Sequence, residues 1–485
     1  MAFLSDGAAY GLPGAEVERI ETHCSLVFLV ADRAYKLKRP VAFSSLDYTT
    51  VARREAACRA ELALNRRTAP ELYLDVLAIR RKAGGELVLG GEGAPLDWLV
   101  VMRRFDQADL FDHLAATRRL TPELIGALAE EIAAFHALAE PVAGFGGAAG
   151  LRGAIERNRL DQRTVEGVLG RDAIEALRRE SLVAVERVAP LLDRRREAGK
   201  VRRCHGDLRL ANLCLLGGRP TLFDAVEFCD EVACIDVLFD LAFLLMDLCQ
   251  HGLETLANHL FNRYLDVTGD DDGLAALPPM LSLRAATRAY ALAASVARQH
   301  RAGEAQHHAA SARSHLALAA ALLAAAPPRL VALGGVAGSA KTALAYSLAA
   351  SFQPAPGARV LRSAVARRRL LALPPEARPT AAAYDAATTE RVYAGLAGAA
   401  RQALQARVTA VIDASFVRPE QREAVAETAR RAGVPFVGLW LGAPADLAPG
   451  GEGWHALKPG PGGATMLATA RLLAHAGDAV PRQGD

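Results

Sequence analysis

Lysine is scarce in this chain. Of 57 basic residues only six are lysines, at positions 36, 38, 82, 200, 341 and 458, and the rest are arginines. An ammonium is a compact point charge, chemically unlike a guanidinium, so a lysine kept against this bias is a candidate for chemistry of its own. Charge of one sign is lacking too: the formal net charge is +3 over 485 residues. That balance gives no basic surface for nucleic acid or an anionic membrane. The seven cysteines (Cys24, Cys58, Cys204, Cys214, Cys229, Cys234 and Cys249) are odd in number and form no C-x-x-C pair. Neither a disulfide framework nor a zinc site follows, and they read as small buried hydrophobes in a reducing compartment. The N-terminal MAFLSDGAAYGLPGAE has no basic segment leading into a long apolar one, so no secretory signal is expected there. LALAAALLAAAPP, the longest uncharged apolar run near the middle, falls short of the roughly 18 residues that a membrane span requires. The expectation is a cytoplasmic protein with no nucleic-acid, membrane or stable protein partner.

What is present describes a globular chain. Hydrophobic residues make up 51% and charged residues 23%, enough to bury sizeable cores, and the length predicts two or three domains. LVFLVADRAYKLKRPV reads as two short strands, Leu26 to Val30 and Ala34 to Lys38, around a turn at Asp32 and Arg33. Period two puts Lys36 and Lys38 on one face of the second strand. TTVARREAACRAELALNRR has helical spacing, LYLDVLAIRR and LDWLVVMRRF are extended, and from about Thr121 the pattern is helical and rich in Ala and Leu. The histidines at 300, 307, 308 and 315 fall on a polar helical stretch and are expected to face solvent. Pro327 and Pro328 end the helices. A new alternation of strand and helix then predicts a parallel α/β domain. The predicted boundaries are a strand-rich lobe over 1–105, a helical lobe over 106–326 and an α/β domain over 329–485.

One segment interrupts the helical lobe. CHGDLRLANLCLLGGRPTLFDAVEF, residues 204–228, sets Asp207, Asn212 and Asp224 around two short apolar strands joined by Gly217 and Gly218. Transferring a phosphoryl group needs a carboxylate to take the proton of the attacking hydroxyl, and hard oxygen ligands to hold magnesium on the phosphates. Asp207 has the chemistry of the base, and Asn212 and Asp224 that of the ligands. The acidic residues Glu227, Asp230 and Glu231 beyond them form a patch that would attract a cationic substrate.

HGDLRLAN, then LFDAVEF, then DVLFDLAFLL resembles the catalytic core of the aminoglycoside phosphotransferase and choline kinase group, within the protein-kinase-like fold, over roughly residues 20 to 320. The resemblance implies that Asp207 is the catalytic base, Asn212 and Asp224 the Mg2+ ligands, Asp240 the brace of the catalytic loop and His205 its structural histidine. It also implies a strand lysine on the ATP phosphates, held by a helix glutamate. Lys36 is preferred to Lys38, because the group's lysine follows soon after the strand's apolar start, and Glu61 is preferred to Glu55. VVMRRF, near Met102, resembles the hinge where adenine is read by backbone groups. ETHCSLVFL has no G-x-G-x-x-G; small-molecule kinases of this group use a short Ser-bearing loop instead, which points to Ser25 and to a small-molecule substrate.

In the C-terminal part, GGVAGSAKT resembles the phosphate-binding loop G-x-x-x-x-G-K-[ST], with Gly335, Gly338, Ser339, Lys341 and Thr342 as nucleotide-binding residues, Thr342 also on Mg2+, and Asp413 of VIDASF as the acidic partner. Ala340 stands where that pattern has glycine. Residues 329–485 are similar to small P-loop kinases of the gluconate and shikimate kinase kind, fused after a phosphotransferase-like domain in a bacterial two-domain family that also carries LNRRTAPELYLDV. In place of that family's R-S-D-V the chain reads Arg362-Ser363-Ala364-Val365. No arginine occurs between Arg431 and Arg471, although the lid of such kinases uses arginine against phosphate charge; only Lys458 is available there. The domain is therefore expected to be degenerate, binding nucleotide weakly or regulating. The fold expected is an α+β protein-kinase-like bilobal domain followed by an α/β P-loop domain with a parallel sheet. The activity expected is an ATP- and Mg2+-dependent phosphotransferase acting on a hydroxyl. The alternatives are a nucleotide-binding scaffold without catalysis and an ATPase run by the C-terminal domain.

Overall fold

The computed structural model describes residues 2–22, 24–43, 46–158, 162–297, 299, 301–335, 340–374, 377–442, 453–457 and 463–475. Two compact units result: residues 1–163 with 189–247, and residues 164–188 with 248–485.

The first unit begins with a six-stranded antiparallel sheet in the order Glu18–Glu21, Ser25–Val30, Arg33–Lys38, Ala94–Arg103, Tyr73–Arg81, Leu87–Leu89. Alternation divides its side chains between two cores. Leu29, Ala34, Val100 and Met102 share one cluster with Cys58 of the helix Val51–Asn65, while Leu26, Phe28, Leu37 and Leu99 form the other with Leu4. Thr50 caps that helix by accepting the Arg53 N–H, which satisfies one of the donors a helix N-terminus leaves open. Further on, the strands Leu213–Leu216 and Arg219–Leu222 pair antiparallel around Gly217 and Gly218. Both glycines have positive φ, 59° and 80°, the conformation such a two-residue turn demands.

The segment between the helix and the Tyr73–Arg81 strand, NRRTAPELY, fastens the sheet to residues 203–225. Asn65 accepts the Ala225 N–H (2.8 Å), Arg67 donates to the Arg203 carbonyl (2.8 Å), Thr68 donates to the Leu222 carbonyl (2.8 Å) and Tyr73 accepts the Asp224 N–H (3.1 Å). Asn65 and Tyr73 are fully buried. This motif serves hydrogen bonding across 130 to 160 residues of chain.

The second unit carries the helices Glu254–Thr268, Leu277–Val296 and Ala302–Leu323 and a parallel sheet in the order Arg359–Arg362, Ala410–Asp413, Leu330–Gly335, Phe436–Leu441, Trp454–Leu457. Val331, Leu333, Val360, Val411 and Leu439 fill its core at or near complete burial, each worth about 1.5–3 kcal/mol against exposure. The expected parallel α/β domain is therefore present. Its edge strand is covered by the Glu254–Thr268 helix, on which Asn258, Asn262 and Asp266 recur every four residues and so share a face. Asn258 donates to the Pro356 and Ala358 carbonyls, and Asn262 accepts the Val360 N–H at 2.7 Å. Arg359, 1% exposed, binds Asp266 (2.8 Å) and Asp271 (2.6 Å). Edge-strand groups that would otherwise invite pairing with another chain are thereby satisfied.

Two readings of the sequence need correction. The histidines of the Ala302–Leu323 helix do not all face water: His315 is 5% exposed and bonds the Ser311 carbonyl, and His308 bonds the Ser295 hydroxyl at 2.6 Å. His307 is exposed, and His300 lies outside the described residues. The cysteines form no disulfide, and they are not all buried: four are, while Cys24, Cys229 and Cys249 are partly accessible.

Candidate active site

Asp207 lies on a loop that the buried Asp240 holds in shape. Asp240, fully buried, accepts the N–H groups of His205 (3.0 Å) and Gly206 (2.9 Å) and bonds His136 at 3.1 Å. His205 spends its ring on structure: Nε2 lies 2.8 Å from the Phe223 carbonyl and the side chain has no exposure. A histidine so enclosed has no access to a substrate proton. Gly206 has φ 85°, and a Cβ there would stand 3.1 Å from Val226, so glycine is required for the turn that presents the next residue.

That residue, Asp207, is 32% exposed at its side chain. Its Oδ1 and Oδ2 accept from Arg209 at 2.8 and 3.0 Å, and the Asn212 amide donates to Oδ2 at 2.9 Å and to the Asp207 carbonyl at 2.8 Å. The five-residue spacing thus closes a short 3-10 turn, Leu210–Asn212, that brings the amide back onto the carboxylate. Arg209 lies over the Phe243 ring at 5.7 Å. Burial opposes its charge, but Asp207 and then Asp247 more than compensate and hold the guanidinium above its usual range. Arg209 was not anticipated, although its place two residues after Asp207 was a legible signal.

Asp224 lies two residues past the end of the Arg219–Leu222 strand, with φ 62°. Asp tolerates the left-handed region better than most residues, at a cost of ~1 kcal/mol. The Tyr73 hydroxyl fixes its backbone, and its side chain, 41% exposed, accepts from Lys36 Nζ at 2.5 Å. Lys36 also donates to Glu61 Oε1 at 2.8 Å, and Lys38 donates to Glu61 Oε2 at 2.6 Å. Glu61, fully buried, is pushed up by burial but pulled down further by Lys36 and Lys38, to about 2. For Lys36 the order is the same: burial works against the charge, and Asp224 and Glu61 overcome it, leaving the ammonium well above its ordinary range.

Both lysines therefore meet the helix glutamate, and Lys36 is the one that continues to Asp224. Glu55 instead pairs with Arg59 on the helix surface. Only part of the acidic patch is presented to solvent, by Asp230 and Glu231. Glu227 is withdrawn to 6% exposure against Lys38 and the Tyr48 hydroxyl, Asp230 pairs with Arg203, and Glu231 accepts from Cys229. Asn212 and Asp224 each carry oxygen donors of the hard kind that magnesium takes. With the Asn212 nitrogen committed to Asp207, the carbonyl oxygen is the atom it has to offer a metal.

Ser25 opens its strand at 3% exposure, opposite Lys38 in register, and its N–H is received by Thr22 Oγ1 at 3.0 Å. Its buried hydroxyl is not presented to solvent. Met102, 8% exposed, packs in the sheet core beside Leu29 and Ala34, and the N–H groups of the two residues after it are taken by the Leu72 and Asp32 carbonyls, each at 2.8 Å.

In the second unit, Lys341 donates to the Gly335 carbonyl at 3.0 Å and Thr342 donates to Asp413 Oδ2 at 2.6 Å. Burial lowers the Lys341 ammonium, with Asp413 pulling the other way. Gly335 has φ 132°, and a Cβ there would meet the Leu441 carbonyl at 2.5 Å. Ala340 caps the Lys341–Ala349 helix with φ 56°, a strain of about 1 kcal/mol that glycine would avoid. Gly338, Ser339 and Lys458 lie outside the described residues.

A carboxylate on a braced loop, an amide and a second carboxylate beside it, and a lysine clamped by a buried glutamate define a protein-kinase-like phosphotransferase core. The chain belongs to the phosphotransferase enzyme family, whose sequence model matches residues 27–277, and residues 330–450 match that of an AAA domain. The protein-kinase-like domain is thus followed by a P-loop α/β domain. The chain is 28% identical over 357 residues to the uncharacterized protein Rv2004c of Mycobacterium tuberculosis, covering 72% of this chain and 68% of that one. Similar solved structures include an ethanolamine kinase of Plasmodium vivax, at 11% identity and TM-score 0.39 over 61% of this chain and 82% of that one. A choline kinase of Cryptosporidium parvum stands at 12% and 0.41 over 65% and 90%. Among the described residues no helix is long and apolar enough to cross a membrane.

Proposed function

We propose that this chain transfers the γ-phosphoryl group of ATP, in the presence of Mg2+, to a hydroxyl of a small molecule. The observation that carries the reading is the Lys36 ammonium, held between Glu61 at 2.8 Å and Asp224 at 2.5 Å, residues 25 and 188 positions away in sequence. In this reading Lys36 receives the α- and β-phosphates, Glu61 holds Lys36, and Asn212 and Asp224 hold magnesium. Bound magnesium supplies charge neutralisation on the phosphate oxygens. Asp207, accessible from solvent and oriented by Arg209 and Asn212, accepts the substrate proton. A small acceptor agrees with the sequence ETHCSLVFL, which lacks the glycines of a protein kinase. The withdrawal of Glu227 into an ion pair leaves only Asp230 and Glu231 to attract a cationic acceptor.

The C-terminal P-loop domain, in this proposal, binds nucleotide weakly or regulates the kinase-like domain. Lys341, Thr342 and Asp413 retain the contacts of a phosphate site, whereas Ala340 strains the loop and the segment 432–470 has no arginine. A cytoplasmic location suits seven cysteines that form no disulfide. The test is a panel of hydroxylated metabolites screened for stimulated ADP release. Turnover lost in Asp207→Ala and kept in Lys341→Ala supports the proposal; the reverse pattern assigns the activity to the C-terminal domain, and no turnover in the unmutated chain favours a non-catalytic scaffold.

A further inference from the structure

The Arg33–Lys38 strand places two ammonium groups on one buried carboxylate, and the mechanism above uses only one of them. Lys38 is 2% exposed and Glu227, its second partner, 6%. Tyr48 closes the group, its hydroxyl donating to Glu227 and lying 3.3 Å from Lys38. Burying two charges this deeply is costly unless each is paired and hydrogen-bonded. A plain structural need would be met as well by apolar side chains of the same volume.

The arrangement has an open and a closed end. At the open end Lys36, 15% exposed, joins Glu61 to Asp224, 41% exposed. At the closed end Lys38 joins Glu61 to Glu227. Asp224 and Glu227 belong to the same loop, three residues apart, so one strand fastens that loop at two points. We propose that Lys38, with Glu227, is a positioning residue for Lys36 and Asp224. It keeps Glu61 half-neutralised and in place when Lys36 leaves Asp224 for a phosphate and Asp224 turns to the metal. The proposal rests on the phosphotransferase reading.

Two consequences give it content. With Lys38 present, Glu61 shares its charge between two ammonium groups, so its hold on Lys36 is weaker than that of an undivided carboxylate, and Lys36 can be drawn toward a phosphate. With Lys38 absent, the whole charge of Glu61 falls on Lys36, and the loop carrying Asp224 loses its second anchor. Both effects lower affinity for a metal–nucleotide complex. Neither requires Lys38 to touch the nucleotide.

The experiment measures Mg2+·AMP-PNP binding by calorimetry in the full chain carrying Lys341→Ala, so that the second phosphate loop is silenced. In this parent, Lys36→Met is expected to abolish binding. Lys38→Met/Glu227→Leu, which removes the closed pair and keeps its volume, is expected to raise Kd at least tenfold with the melting temperature close to that of the parent. Lys38→Arg, which keeps the charge, should recover most of the affinity. Should the double variant fail to fold, Glu227→Gln, of unchanged shape, should still raise Kd threefold or more. Binding equal to the parent's in the double variant or in Glu227→Gln overturns the positioning role alone. So does an equal loss in Lys38→Arg and Lys38→Met that tracks a falling melting temperature. A parent that binds no Mg2+·AMP-PNP, or one indifferent to Lys36→Met, overturns the phosphotransferase reading and this proposal with it.

Discussion

Replacing Glu61 with glutamine tests the charge network where its energy is greatest. The carboxylate is fully buried, and although burial raises its proton affinity, Lys36 and Lys38 bring it from 4.5 down to about 2. A group whose pKa is depressed on folding stabilises the protein above its unfolded value, and that stability disappears as pH falls through the folded value. At about 1.4 kcal/mol per unit, the depression is worth roughly 3 kcal/mol. Glutamine keeps the shape and loses the charge, leaving two buried ammonium groups short of a partner. Trp98, the one tryptophan of the first unit, is 8% exposed and reports on that unit once Trp440 and Trp454 are changed to phenylalanine. Urea unfolding followed by Trp98 fluorescence should find Glu61→Gln less stable by ~3 kcal/mol at about pH 6, the gap shrinking to ~1 kcal/mol near about pH 2.5. A gap that does not change with pH, or a glutamine variant as stable as the parent at neutral pH, would refute the reasoning.

Three further outcomes follow from single contacts. Gly206→Ala puts a methyl 3.1 Å from Val226 on a residue with φ 85° and should cost ~2–3 kcal/mol in urea unfolding, with any ADP release falling as the Asp207 loop shifts. Arg359→Met strands the buried Asp266 and removes the nearer of the two arginines that meet Asp271, and should destabilise the second unit by about 3–5 kcal/mol, read from Trp440 and Trp454 fluorescence in a Trp98→Phe background. Asp224→Asn removes one partner of Lys36 and the anionic donor proposed for the metal. With Lys341→Ala silencing the other loop, it should lower Mg2+-dependent nucleotide affinity at least tenfold and leave metal-free affinity within about threefold.

How much of this was legible in the sequence depended on the distance over which each residue acts. The catalytic loop was readable because its logic is local. Asp207 and Asn212 meet within one short turn, and Gly217 and Gly218 announce the hairpin that precedes Asp224. Strand alternation showed that Lys36 and Lys38 share a face but could not separate them, and the structure explains why: both bind Glu61, and they differ only in the far partner each reaches 188 or 189 residues later. Glu227 was misread as a surface acid for the same reason, since its neighbours Asp230 and Glu231 are exposed and its partners Lys38 and Tyr48 are distant in sequence. His315 was misread because a polar helix can still turn one histidine to its packed side. Asn258, Asn262 and Arg359 gave no local sign of their joint role at the sheet edge. Their spacing of four on a helix is common, and the strand they serve begins nearly a hundred residues further on.

The central claim is that Lys36 lies against the phosphates of a bound nucleotide. An acyl-phosphate derivative of ATP, which transfers its acyl group to an amine beside the phosphates, followed by peptide mass spectrometry of the full chain, tests it most directly. Modification of Lys36, suppressed by excess Mg2+·AMP-PNP and absent from the buried Lys38, is the predicted result. Label found on Lys341 alone, or on Lys36 without competition by nucleotide, would contradict it.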